Sequence, residues 1–378
     1  MKMSLKSRKE LIEKVKERYL KSKKEERTKI LDELESNTEM NRKYLINRLS
    51  PRIDLDYVNP INRKKRERYG PEVIAKLKKI WETFDYPCGQ NLAPMLEEYI
   101  GVLEKFKEMS FSVEVKEKLS TISSSTIDRS LKRFKIFKKG KVFSTTQPGS
   151  MLKKNIPIKT SSWDETRIGF GELDTVAHCG DSASGEFINS LTYTDIATQW
   201  TESVAVMGKA QIRIKQGLDD IESRLPFALL GIDPDNGGEF INWQLYRHCV
   251  SRDIEFTRGR PYYKNDNAHI EQKNWTHVRK LVGYSRLDKE YQLRVLNSLY
   301  RNEWRLFKNF FIANKKLIGK KRVGAKIKKV YDKPKTPYQR LLESNEYSEE
   351  QKEALKEIYV KLNPVELKKN INTKLKKI

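Results

Sequence analysis

Apolar residues recur at helical spacing through the first fifty positions. Leu11, Ile12, Val15 and Tyr19 form one run and Ile30, Leu31 and Leu34 the next, each set among charges. After the polar break Ser36, Asn37 and Thr38, Tyr44, Leu45, Ile46 and Leu49 fall on one apolar side. Two short helices about a polar turn predict a helix-turn-helix over residues 1–50 whose second helix offers Asn41, Arg42, Lys43 and Arg48 to DNA. A plain helical hairpin with a solvated basic face fits the same pattern.

The segment RIDLDYVNPINRKKRERYGP, with two prolines and a basic run, breaks the helical period and puts a boundary near residue 65. From Pro71 to Phe134 the period is helical again. The Ser123 to Ser125 cluster supplies N-cap oxygens just before Thr126, Ile127 and Leu131. This predicts a second helix-turn-helix-like domain over 65–137, with Arg129, Lys132, Arg133 and Lys135 lining or flanking its recognition helix and phosphate contact favoured for the lysines. Residues 138–165 are basic, aperiodic and rich in Ser, Thr, Gly and Pro, as a linker is.

The pattern then changes character. GELDTVAH, FINSLTYTDI and WTESVAVM are rich in β-branched and aromatic residues and read as strands. A helix from about Lys209 to Ser223, the apolar run PFALLGID, a helix from about Phe240 to Arg252, the short strand DIEFT and a helix from about Asn267 to Tyr284 follow. Three successive strands, then alternating helix and strand, predict a mixed α/β sheet over residues 166–290. Residues 291–378 hold a helix with Tyr300, Trp304 and Phe307, a basic stretch that includes Lys320, Lys321 and Arg322, and an amphipathic helix around Glu349 to Leu362.

Composition narrows the class of partner. The 378 residues carry 76 Lys and Arg against 51 Asp and Glu, a net charge of +25, which favours a polyanion. Three widely spaced cysteines make no disulfide framework, and no apolar stretch resembles a secretory leader or a membrane span. A soluble cytoplasmic protein, associated with the nucleoid, is expected.

Among the acids, three stand at ends of elements or on a helix facing them. Asp174 lies in the first strand, Asp235 follows the apolar strand PFALLGID, and Glu271 lies in NDNAHIEQKNW with 35 residues between it and Asp235. On these residues, on DNGGEF behind Asp235, and on IGFGELDTVAHCGDSASGEF, TRGRPYYKNDNAHIEQKNWTHVR, LVGYSR and TPYQRLL, the chain resembles bacterial insertion-sequence transposases whose catalytic core is like that of retroviral integrases. The resemblance implies all-α helix-turn-helix domains before an RNase H-like catalytic domain with a mixed five-stranded sheet, and a basic C-terminal region for DNA contact and assembly. It also implies a triad of Asp174, Asp235 and Glu271 that holds two Mg²⁺ ions, replaceable by Mn²⁺. The implied activity is cutting of the element's terminal inverted repeats and strand transfer into target double-stranded DNA, by a homo-oligomer assembled on that DNA.

Ligand chemistry is consistent with this, because hard cations suit carboxylate oxygens and phosphodiester transfer needs no covalent enzyme nucleophile. Asp233 shares a strand face with Asp235 and competes with it, but the turn residues Asn236, Gly237 and Gly238 put Asp235 at the strand's end, the favoured place for a site. Asn267, Asn274 and Trp275 share the face of Glu271. Trp275 and Val278 stand where retroviral integrases often place lysines, which leaves DNA contact by this helix to Lys273, Arg279 or Lys280. His178-Cys179 and His248-Cys249 invite a zinc reading, but neither adjacent pair chelates one ion easily, and both read as core. Two other functions share these features: a catalytically inactive, transposase-derived DNA-binding regulator, and a structure-selective nuclease on the same fold.

Overall fold

The computed structural model describes residues 3–51, 68–134, 167–235, 237–258 and 268–378, the last range without 325. The chain divides into two compact units, Met1–Arg68 and Tyr69–Ile378. The predicted linker 138–165 lies outside the described residues.

Among the described residues the first unit holds three helices: α1 (Leu5–Lys21), α2 (Lys24–Thr38) and α3 (Arg42–Arg48). Their apolar stripes meet in a small core of Ile12, Ile30, Leu31, Leu34, Leu45 and Leu49. The turn between α2 and α3 begins at Glu39 in a left-handed conformation, and Asn41 caps α3 by accepting from the Lys43 amide at 2.9 Å.

The second unit opens with α4 (Pro71–Thr83), α5 (Gly89–Leu92), α6 (Leu96–Lys105), α7 (Val113–Ser120) and α8 (Ser124–Leu131). Ser123 caps α8 as its cluster predicts, accepting from the Thr126 amide at 3.2 Å. At Gly89 an added Cβ would lie 2.1 Å from the Ser124 carbonyl oxygen, so α5 rests directly on the start of α8.

A mixed five-stranded sheet follows, as expected. Its order is β3-β2-β1-β4-β5, built from β1 (Phe170–Ala177), β2 (Ile188–Asp195), β3 (Thr201–Met207), β4 (Gly231–Pro234) and β5 (Glu255–Phe256). The first three strands are antiparallel, and β4 and β5 run parallel to β1. β4 is shorter than the apolar run that predicts it. Helices α9 (Gln211–Glu222) and α10 (Trp243–Ser251) cover one face, with Leu191, Val204, Ile214, Leu218, Ile232 and Leu245 in the core between.

Next come α11 (Ala268–Lys273), a π-helical turn Asn274–Arg279, and α12 (Lys280–Val282). α13 (Glu290–Leu299) runs through a second π turn, Tyr300–Trp304, into α14 (Arg305–Phe311). β6 (Leu317–Val323) and β7 (Lys326–Tyr331) form an antiparallel hairpin, and α15 (Pro337–Glu343), α16 (Glu349–Lys361) and α17 (Pro364–Leu375) complete the described elements.

Two features differ from the expectation. The basic stretch around residue 320 is a two-stranded hairpin that turns at Gly324, which adopts φ +59°. The helices of 71–134 also do not close a core of their own. Leu77, Phe84, Tyr99 and Leu103 share one with Trp304, Phe307, Phe310, Phe311, Tyr338 and Leu355 from the region 291–378. Short amphipathic helices expose one apolar face each, and here those faces find the C-terminal helices.

Candidate active site

Strand register brings Asp174 and Asp235 together. β1 and β4 pair in parallel with Leu173 opposite Pro234, so the next residue along each chain is an aspartate. Burial raises the Asp174 carboxyl far above the usual carboxylate range, and Asp235 and Glu239 raise it further; the Thr175 amide, donating to Asp174 Oδ1 at 2.6 Å, and the charge of Lys209 work against this. Asp235 is raised too, first by burial, with the Gly237 amide opposing from 2.8 Å on Oδ1. The negative charge of Asp235 thus disfavours ionisation of Asp174.

The turn after β4 is built for this crowding. A Cβ at residue 237 would stand 2.5 Å from Glu239 Oε2 and 2.9 Å from Asp235 Oδ1, so glycine alone leaves room for both. Glu239 is buried, and its Oε1 takes Lys209 Nζ at 2.6 Å and Thr175 Oγ1 at 3.2 Å. One acid beside the aspartates is thus neutralised by its own lysine. Asp233, opposite Glu172 in the β1–β4 register, accepts from Thr257 Oγ1 at 3.0 Å.

The helix after β5 is anchored on the same strand face. The Ile270 amide donates to Glu172 Oε2 at 2.7 Å, and Asn274 Nδ2 donates to Asp174 Oδ2 at 2.6 Å. Glu172 and Asp174 are two residues apart and share a face of β1. Residue 271 lies in α11 between these two anchors, but the Glu271 side chain and Asn267 lie outside the described residues.

The oxygen donors fit a hard divalent cation. Asp174 and Asp235 each retain acceptor capacity beyond the hydrogen bonds named, and a positive charge between them would offset the negative neighbours that help raise each, Asp235 and Glu239 for Asp174 and Glu239 for Asp235.

The sequence-predicted DNA contacts fall in several environments. Arg42 is spent on Asp32 and Glu35 of α2. Arg129 Nη2 donates to Thr126 Oγ1 at 3.3 Å, and the Arg133 guanidinium lies over the Phe134 ring. Lys43 and Lys132 are exposed, as are Lys321 and Arg322 on the hairpin; the side chain of Lys320 lies outside the described residues. Lys273 is buried, with Nζ 3.5 Å from the Gln199 carbonyl, and is pushed down to about 7 by burial, then by Lys308 and Arg340. It faces the protein interior because the next turn of its helix packs under Trp304. Arg279 is half-buried over the Tyr284 ring, and Lys280 binds Asp85.

Three participants carry no clear signal in the sequence. Lys209 and Thr175 meet at Glu239 from segments 30 and 64 residues away, and Glu172 anchors α11 from 98 residues away. Asn274 is legible, since helical spacing puts it on the face of Glu271. Of the histidine–cysteine pairs, His178 binds Ser190 Oγ at 2.8 Å through Nε2, Cys179 and Cys249 are buried, and His248 faces Asp219 on α9.

No family model matches the chain. Among solved structures it is similar to the catalytic core domain of BIV integrase, at 13% identity and TM-score 0.30 over 45% of this chain and 91% of that one. The HTLV-2 integrase catalytic core domain in complex with magnesium gives 14% identity and TM-score 0.29, over 38% and 88%. A simian T-cell lymphotropic virus intasome in complex with PP2A regulatory subunit B56 gamma gives 12% and 0.33, over 63% and 72%. The strand order and register described above, and not these low scores, define the fold. No helix among the described residues is long and apolar enough to cross a membrane. A protein of Sinorhizobium fredii (strain NBRC 101917 / NGR234), named uncharacterized protein y4rM, is 37% identical over 339 residues, which are 89% of this chain and 96% of that protein. At that identity, and over nearly the whole of both chains, this protein belongs to the y4rM family.

Proposed function

We propose that the chain is a DDE-type transposase with an RNase H-like core, which cuts the terminal inverted repeats of a mobile element and joins the freed ends to target DNA. The observation that carries this reading is the pairing of Asp174 with Asp235 at the parallel β1–β4 junction, where burial raises both carboxyls and Asp235 raises Asp174 further. Asn274 on Asp174, three residues beyond Glu271, supports Glu271 as the third acid.

Divalent cations held by these acids, Mg²⁺ or Mn²⁺, would activate the attacking oxygen and stabilise the leaving one. The protein's own residues do the rest. β1 and β4 hold two oxygen donors in a fixed register, Asn274 orients one of them, and Lys209 keeps the adjacent Glu239 from adding an uncompensated charge. Outside the site, the α2–turn–α3 and α7–turn–α8 arrangements suit recognition of element ends, with Lys43, Arg129, Lys132 and Arg133 as contacts. The exposed Lys321 and Arg322 suit the backbone of the target, with assembly of several copies on the DNA.

The deciding experiment is joining of labelled terminal-repeat DNA by the full-length protein in Mg²⁺. Asp174→Asn, Asp235→Asn and Glu271→Gln should each abolish joining and leave end binding in place, because they remove cation ligands and not fold contacts. Near wild-type joining by one of them removes that residue from the triad. Wild-type protein that binds ends and never joins them would instead favour a DNA-binding regulator.

A further inference from the structure

A second cluster of ligand-type side chains lies between α9 and α10, apart from the acids of β1 and β4. Asp219 and Glu222 are three residues apart on α9 and so share a face, and His248 reaches them from α10. One potential ligand atom from each lies within 4.8 Å of the other two. His248 is 7% exposed. Its Nε2 stands 3.4 Å from Asp219 Oδ1, and neither atom has a hydrogen-bond partner among the described residues.

Two buried polar atoms that face each other without a hydrogen bond forfeit free energy on both sides, so a native protein normally supplies something to satisfy them. The surroundings orient both carboxylates. Lys215 Nζ holds Asp219 through Oδ2 at 2.8 Å, and Arg252 Nη1 holds Glu222 through Oε2 at 2.5 Å. These contacts resemble the outer hydrogen bonds that fix ligands around a metal. Burial, the largest influence on the His248 ring, favours its neutral form, which offers a lone pair.

We infer that Asp219, Glu222 and His248 bind a divalent transition-metal ion of the zinc class, which staples α10 to α9. One imidazole nitrogen and two carboxylate oxygens suit Zn²⁺ better than Mg²⁺, which prefers oxygen throughout. Around a tetrahedral ion with bonds of about 2.1 Å, neighbouring ligand atoms lie about 3.4 Å apart, so small side-chain rotations close the observed cluster. The ion would act at a distance from catalysis: α10 begins at Trp243, eight residues beyond Asp235, so fixing α10 fixes one end of the turn that carries that aspartate.

The test uses the full-length protein stripped by chelator and held in saturating Mg²⁺, with Co²⁺ as a spectroscopic probe and Zn²⁺ in calorimetric titration. Wild type and Asp174→Asn should each bind one Zn²⁺ and show the visible bands of nitrogen- and oxygen-ligated Co²⁺. His248→Ala should lose both signals, and Asp219→Asn should bind at least about tenfold more weakly. Zn²⁺ should also raise the unfolding temperature of wild type and not that of His248→Ala. If His248→Ala fails to fold, the half-exposed Asp219→Asn and Glu222→Gln carry the test. Unchanged Zn²⁺ affinity in these variants overturns the site, as does wild type that takes up no Zn²⁺ in Mg²⁺; an ordinary His248–Asp219 hydrogen bond would then be the better account.

Discussion

A carboxylate in the middle of a strand is costly unless something claims its charge. Asp174 is claimed by the Thr175 amide and by Asn274, yet its carboxyl stays raised because burial and Asp235 outweigh them. On the proposed function Asn274 is a positioning residue. Asn274→Ala should slow single-turnover joining about 10- to 100-fold while end binding persists, the size of effect expected when an outer partner of a metal ligand is removed. An unchanged rate would reduce the hydrogen bond to a packing detail. The oxygen donors also set the choice of ion. Joining should run in Mg²⁺ and Mn²⁺ and, once the α9–α10 site is filled, gain nothing from further Zn²⁺, and Ca²⁺ should allow binding without joining because its coordination is longer and looser. Joining in chelator would refute this ion dependence. At this scale the two aspartates are legible in the sequence, because a strand end followed by Gly237 and Gly238 is a local signal. The burial of Lys273 is not, because a long aliphatic stem lets lysine lie on either side of an amphipathic helix. Lys209 and Glu239 meet only through the fold.

Among the elements, the β6–β7 hairpin is the least self-sufficient. Lys320 stands opposite Lys329 and Lys321 opposite Lys328, and like charges directly across strands destabilise a pair. Ile318, Val323 and Ile327 are exposed, so little apolar burial offsets the repulsion. An anionic ligand laid across the lysines would remove it. Replacing both Lys321 and Lys328 by alanine should weaken DNA binding to a similar degree on any sequence. The slope of log K against log salt should fall by about 1.8, at ~0.9 for each phosphate no longer neutralised. A slope equal to wild type would detach the hairpin from DNA. The strands of this hairpin are not legible in the sequence, because Ile318, Val323, Ile327 and Val330 are spaced five, four and three apart and show no period of two. The N-cap at Ser123 and the sheet strands are legible because their signals are local and period-based. The reach of β4 is not, since PFALLGID is mostly apolar and carries no mark for where pairing begins.

Over the second unit as a whole, Asp85 ties together segments far apart in sequence. It sits just past α4 in a left-handed conformation, φ +66°, and receives Lys280, Lys308 and Lys368 at 3.0 to 3.1 Å. Burial works to raise its carboxyl, but Lys308, Lys368 and Lys280 outweigh that and hold it well below the usual carboxylate range. Asn tolerates the same backbone, so Asp85→Asn isolates the charge and should destabilise the unit by about 3 to 5 kcal/mol, because it leaves the buried Lys308 without its carboxylate. The folded value lies below the unfolded one, so the contribution is complete above about pH 5 and fades as pH falls below about 4. Denaturant unfolding at a series of pH values should show wild type and variant converging in acid. A gap of constant size down to pH 2 would mean that the carboxylate charge is not the source. None of this is legible in the sequence. Periodicity reports that a helix has an apolar face and says nothing of which partner covers it, so residues 71–134 and 291–378 read as separate domains although they share a core.

That shared core bears on how such proteins change. If the helices of 71–134 read DNA, a new end preference cannot be acquired by exchanging that segment alone between y4rM relatives. Phe84 stacks on Tyr99, and Tyr99 hydrogen-bonds the Phe311 carbonyl, so a transplanted segment would meet a foreign surface on α14, α15 and α16. The helices of 71–134 and the C-terminal helices form one packed block, so chimaeras that respect the block should fold where cassette swaps fail.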